Sequence, residues 1–144
     1  MKNIYIIIFF FTCQYSISQV EEYERKDRWQ VVGSNSSGSV FLKLEGSSLY
    51  KLSFRNYQFS DKQIIENIYL NLSDLDISNF YSFLLKSFDL IVSEQSSFKI
   101  DKYEFQLSKH GKYIRVNINP INSNETIGWI LFTIKDLNNL FGKY

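Results

Sequence analysis

The chain has no alanine, one proline, one cysteine, one histidine and one methionine among 144 residues. Each scarcity removes a class of protein. Alanine is the best helix former, so its absence speaks against an all-helical bundle and for sheet. A single cysteine closes no intrachain disulfide, and one histidine beside it cannot build a zinc site of the usual His and Cys type. A Ser-His-Asp triad would have to recruit His110, and no G-x-S-x-G elbow is present to supply its nucleophile. No D-x-D-x-D-G calcium loop, phosphate-binding glycine loop or dinucleotide fingerprint occurs. Residues 33–39 carry two glycines among serines, but no lysine follows them, so they read as a flexible loop. Neither a cofactor nor a metal is expected.

Charge of one sign is also lacking. The 16 basic and 15 acidic residues leave a formal charge of +1, and the longest charged run, EEYERKDR at 21–28, mixes both signs. No nucleic-acid partner is expected, because nonspecific binding of that kind depends on clustered Lys and Arg. Long apolar runs are missing too. Crossing a membrane takes about 20 apolar residues, and the longest run, 4–11, has eight.

That short run has a reading of its own. Lys2, the apolar stretch 4–11 and the small-x-small pattern Ser16-Ile17-Ser18 have the order of a secretory signal peptide over 1–18, with cleavage before Gln19. The expected product is periplasmic or secreted. It has no cysteine and, with Lys2 removed, 15 basic and 15 acidic side chains. A cysteine after an apolar run can instead carry a lipid anchor. Around Cys13 the pattern is poor, because Phe10-Phe11-Thr12 puts bulk where a lipobox prefers Leu and a small residue. Anchoring is therefore the lesser expectation.

What the chain does have is aromatic bulk. Thirteen Phe, ten Tyr and two Trp make up 17% of it, within an apolar share of 44%, which suits half-buried pleated surfaces. After a charged junction at 19–28, residues 29–144 are long enough for one domain with a sizeable core. Trp29 to Val32 reads as a short strand. Val40, Leu42 and Leu44 alternate with polar neighbours, and Tyr50, Leu52 and Phe54 face in against Lys51, Ser53 and Arg55. Ile68, Leu70 and Leu72 close a fourth strand. Ser73 then stands as N-cap with Asp76 three residues on, and Ile77, Phe80, Tyr81, Leu84 and Phe88 recur at helical steps.

Beyond this helix, Phe98 and Ile100 share one parity while Tyr103, Phe105 and Leu107 share the other. A slip of one residue turns every side chain over, so the pattern predicts a bulge or break near Asp101 and Lys102. His110 and Gly111 lie in a hairpin turn, where a histidine is ordinarily just exposed. Ile114, Val116 and Ile118 face in along the return strand, which stops at Pro120. Residues 127–132 form a nearly continuous apolar strand. Thr133 and Asp136 then open a last helix with the stripe Ile134, Leu137, Leu140 and Phe141.

The expected fold is α+β: an antiparallel sheet of about seven strands with two helices on one side, in the order ββββα-βββα. Leu72-Ser73-x-x-Asp76-Ile77-x-Asn79-Phe80 is echoed by Phe132-Thr133-x-x-Asp136-Leu137-x-Asn139-Leu140. A duplicated strand-and-helix unit explains this echo. So does convergence of two ordinary helix starts on the same caps, which recur widely.

Function is far less legible. The first reading is an exported binding or interaction domain without catalysis, directed at an unknown protein or envelope ligand. Its contact residues would be Arg55, Tyr57, Phe59, Tyr69, Tyr113 and Arg115, because Tyr and Arg are favoured at interfaces. Tyr57 and Phe59 also admit a purely structural role, folded back over a sheet edge. The second reading is an enzyme acting on carbohydrate through paired carboxylates. Asp74 and Asp76 are the nearest pair, but a helix start accounts for both. The third is a single-stranded nucleic-acid module, to which the strand-and-helix order is similar in outline alone.

Overall fold

The computed structural model describes residues 28–59 and 62–143. The proposed signal peptide, Cys13 and most of the charged junction lie outside the described residues. The elements run β1 (Gln30–Ser34), β2 (Val40–Glu45), β3 (Leu49–Arg55), β4 (Ile65–Asn71), α1 (Asp74–Lys86), a 3-10 turn (Ser87–Asp89), β5 (Gln95–Ile100), β6 (Tyr103–His110), β7 (Tyr113–Pro120), β8 (Gly128–Phe132) and α2 (Ile134–Leu140). The fold is α+β, with two four-stranded antiparallel sheets, β1-β2-β3-β4 and β5-β6-β7-β8, each followed by a helix.

The expected single sheet of seven strands is therefore corrected to two sheets of four. The eighth strand arises at Asp101 and Lys102, where the expected bulge or break is a two-residue turn. They join β5 to β6, with Ile100 opposite Tyr103 and Phe98 opposite Phe105. Asp101 carries the positive φ of 52° that such a turn needs. A tight turn and a bulge both reverse the parity of the apolar residues, so the sequence pattern alone does not distinguish them. The order is thus ββββα twice.

The inward parities read from the sequence do pack together. Val40, Leu42, Tyr50, Leu52, Phe54, Ile68, Leu70 and Leu72 of the first unit share a buried cluster with Phe105, Leu107, Ile114, Val116, Ile118, Ile130 and Phe132 of the second. Both helices start in the same way. Ser73 and Thr133 each accept the N–H of the aspartate three residues on, and that aspartate accepts the cap residue's own N–H. Phe80 and Leu84 of α1 are buried, as are Leu137 and Leu140 of α2. Ile134, expected in the buried stripe, is 48% exposed instead. It stands at the first position of the helix, ahead of the turn that Leu137 and Leu140 bury.

Each helix packs on the opening strand of the other unit. Helix α1 lies against β5, and α2 against β1. The Phe80 ring sits 5.6 Å from Phe98 and 5.0 Å from Phe105, while the backbone of Asn139 and Leu140 comes down directly on Gly33. The helices also meet one another, where the Tyr81 hydroxyl donates to Asn138 Oδ1 at 2.8 Å and Phe141 contacts both Phe80 and Tyr81. The two units are exchanged across one core rather than placed side by side.

Two polar clamps tie the sheet edges together. Asn71 at the end of β4 donates its N–H to the Asp101 carboxylate at 3.0 Å. Asn56, fully buried after β3, donates from Nδ2 to the Ile127 carbonyl at 2.8 Å and accepts the Gln58 N–H at 3.0 Å. Gly128 leaves the space for it, since a Cβ there would lie 2.7 Å from Asn56. Replacing Asn56 by alanine strands the part-buried Ile127 carbonyl and opens a void. Asn56→Ala is expected to lower stability by about 2 kcal/mol in a urea titration; an unshifted midpoint would show that the clamp carries no weight.

Candidate functional site

The loop after β3 brings the two sheets' outer faces together. Inward parity of Gly128, Ile130 and Phe132 along β8 turns Trp129 and Leu131 outward, just as Ile114 and Val116 turn Tyr113 and Arg115 outward on β7. Asn56 anchors the loop, and Tyr57 follows it onto the β8 edge. Tyr57 and Trp129 stack with centroids 5.4 Å apart at 28°. The Arg115 guanidinium lies 4.6 Å from the Trp129 centroid, and that of Arg55 lies 5.6 Å from Tyr57. The result is a ladder, Arg55–Tyr57–Trp129–Arg115, across the seam between the sheets. Arg115 Nε donates to Asn117 Oδ1 at 3.0 Å, and the Tyr57 hydroxyl donates to Ser39 Oγ at 3.3 Å. The buried Nε of Arg55 has no partner among the described residues.

Beside the ladder is an open cleft of about 480 Å³, lined by Tyr57, Tyr113, Leu131, Thr133, Asp136 and the loop residues Asn35, Ser36 and Ser37. Its polar wall is largely committed to the fold. Asn35 donates to Ser37 and Ser39 at 2.9 Å each, and its Oδ1 accepts the N–H groups of Ser39 and Val40. The loop expected from serines and glycines is thus pinned by one asparagine, and β1 extends through Gly33 and Ser34.

Asp136 is equally occupied. It accepts the Ser36 N–H at 3.0 Å on one oxygen, and the Thr133 N–H at 3.1 Å and hydroxyl at 2.7 Å on the other. Partial burial alone would raise its carboxyl. The hydrogen bonds from Thr133 and Ser36 outweigh that and hold it below the ordinary 3.8. Since the folded value is the lower one, the stabilisation is complete above the unfolded pKa and is lost as pH falls through the folded value. Asp136→Asn is expected to cost about 1 kcal/mol near pH 7, with the gap to the parent closing as pH falls below the ordinary carboxylate range. Urea titrations at several pH values read this out, and a gap independent of pH would refute it. Asp76 is held low in the same way by the Ser73 hydroxyl and amide.

The six residues selected from sequence do not form one patch. Arg55, Tyr57 and Arg115 share the ladder, and Tyr113 lines the cleft with Tyr57. Tyr57 is half-buried on the β8 edge, in keeping with its structural alternative, whereas Phe59 is 47% exposed. Tyr69 lies apart on the outer face of β4, 6.1 Å from Trp29, whose ring carries the Lys51 ammonium at 4.7 Å. Neither tryptophan was selected. For Trp129 no periodic signal existed, because the run 127–132 is apolar on both parities.

The cleft wall contains a single carboxylate, Asp136. His110 is exposed, with Nε2 3.2 Å from Ser108 Oγ. Among the described residues no group of three His, Cys, Asp or Glu is placed to hold a metal, and no helix is long and apolar enough to cross a membrane. Comparison with protein-family models, curated proteins and solved structures finds no match to this chain.

Proposed function

We propose that the chain is an exported, non-catalytic binding domain, delivered by the signal peptide at 1–18 and presenting its contacts at the seam between the two sheets. The observation that carries this reading is the ladder: two stacked aromatic rings and two arginines on the solvent side of a shared core. Rigid aromatic and arginine side chains supply contact energy at low entropic cost. Carbohydrate cleavage through paired acids finds less support, because Asp136, Asp74 and Asp76 all serve helix starts. We also infer that the two ββββα units arose by duplication, which the matching cap geometry supports.

Export has a direct test. Sequencing the amino terminus of the protein recovered outside the cytoplasm is expected to give Gln19. Recovery from the cytoplasm beginning at Met1 would overturn export, and an acylated start at Cys13 would overturn release.

A further inference from the structure

We propose that the ladder binds an acidic polysaccharide, with Arg55 and Arg115 each taking a sugar carboxylate. This rests on the reading of the chain as a binding domain but not on its export. A guanidinium laid over an aromatic ring keeps its in-plane N–H donors free at the rim, and their fork matches a carboxylate. Among the described residues Arg115 commits only Nε, to a neutral amide, and Arg55, whose buried Nε has no partner there, would use its terminal nitrogens. The outward positions of β3, β7 and β8 nearest them, among them Ser53, Tyr113, Asn117 and Leu131, carry no carboxylate. The nearby Asp136 has both oxygens engaged. Two guanidiniums therefore stand together at the seam on a protein of nearly zero net charge, which suits a locally anionic ligand.

The geometry also selects among polyanions. A nucleobase binds such a surface by stacking on a free ring face. Here Tyr57 and Trp129 cover one another and each carries an arginine. What remains outward is guanidinium rims flanked by the Ser53 hydroxyl and the Asn67 and Asn117 amides. Those groups pair with sugar hydroxyls between charged sites. The two cations stand on opposite sides of a fixed ring pair, so they read anions repeated along a chain better than one isolated charge.

The test takes the protein purified from the cell that makes it, with the amino terminus it carries there. It is titrated at low salt with polygalacturonate, neutral dextran, polyglutamate and oligothymidylate. Polygalacturonate is expected to bind, with affinity falling as salt rises, and dextran not to bind. Arg55→Gln and Arg115→Gln should each weaken binding about tenfold without shifting the thermal midpoint. Lys99→Gln on the outer side of β5 should bind as the parent does. Arg115→Lys keeps the charge but not the fork, and should behave like the glutamine variant. Failure of the folded parent to bind polygalacturonate would overturn the proposal. So would equal binding of dextran, preference for oligothymidylate or polyglutamate, or unchanged binding by both arginine variants.

Discussion

Gly33→Ala is expected to destabilise the protein by about 3 kcal/mol or more, the range of severe overpacking in a core that cannot relax. A Cβ on Gly33 would sit 2.1 Å from the Asn139 carbonyl oxygen and 2.5 Å from that of Leu140. Both are backbone atoms at the end of α2, so no side chain can rotate away. Relief requires the helix to lift off β1, which would draw Leu140 and Phe141 out of the core they share with Phe80. Gly46→Ala provides the contrast. Nothing lies within 4 Å of its added carbon, and its φ of 64° leaves only the strain of a left-handed backbone, about 1–2 kcal/mol. Equilibrium urea denaturation of both variants separates close approach from backbone strain. Equal losses would mean that α2 does not rest on β1 as described.

Phe80→Ala is expected to cost about 3–5 kcal/mol. Phe80 is 3% exposed and meets Phe98, Phe105 and Phe141 at centroid distances of 5.6, 5.0 and 5.5 Å. It therefore joins a helix of the first unit to two strands of the second and to the second helix. Phe83, one turn along α1, meets Phe98 at 4.8 Å in a tilted pair but stays 45% exposed. Phe83→Ala should cost about 1 kcal/mol, since little apolar area leaves a dry environment. Similar urea midpoints for the two variants would count against the exchanged packing of the helices.

The same residues show where sequence reading succeeded and where it stopped. Local alternation located Val40 to Leu44, Tyr50 to Phe54 and Ile114 to Ile118, because a period of two is written into any half-buried strand. Both helix starts were visible as a hydroxyl followed by an acid three residues on, a device that operates within one turn of chain. Asp101 was missed as a turn because a parity reversal has two structural solutions. The serine-rich loop looked flexible because the hydrogen bonds of Asn35, though short in sequence, depend on the path of the loop.

The candidate site was legible only in pieces. Arg55, Tyr57, Tyr113 and Arg115 could be selected as outward residues of interface type, but Trp129 was hidden in a run that looked apolar throughout. Stacking of Tyr57 on Trp129 joins residues of opposite units, and no periodicity along the chain encodes that distance. The inward and outward faces of the strands and the caps of the helices were set by the sequence alone, since these depend on neighbours within a few residues. The division into two sheets, the exchange of helices between units and the assembly of the ladder were decided only in the tertiary structure. Each depends on which apolar faces find one another across the core, and that burial is roughly proportional to area and has no direction of its own.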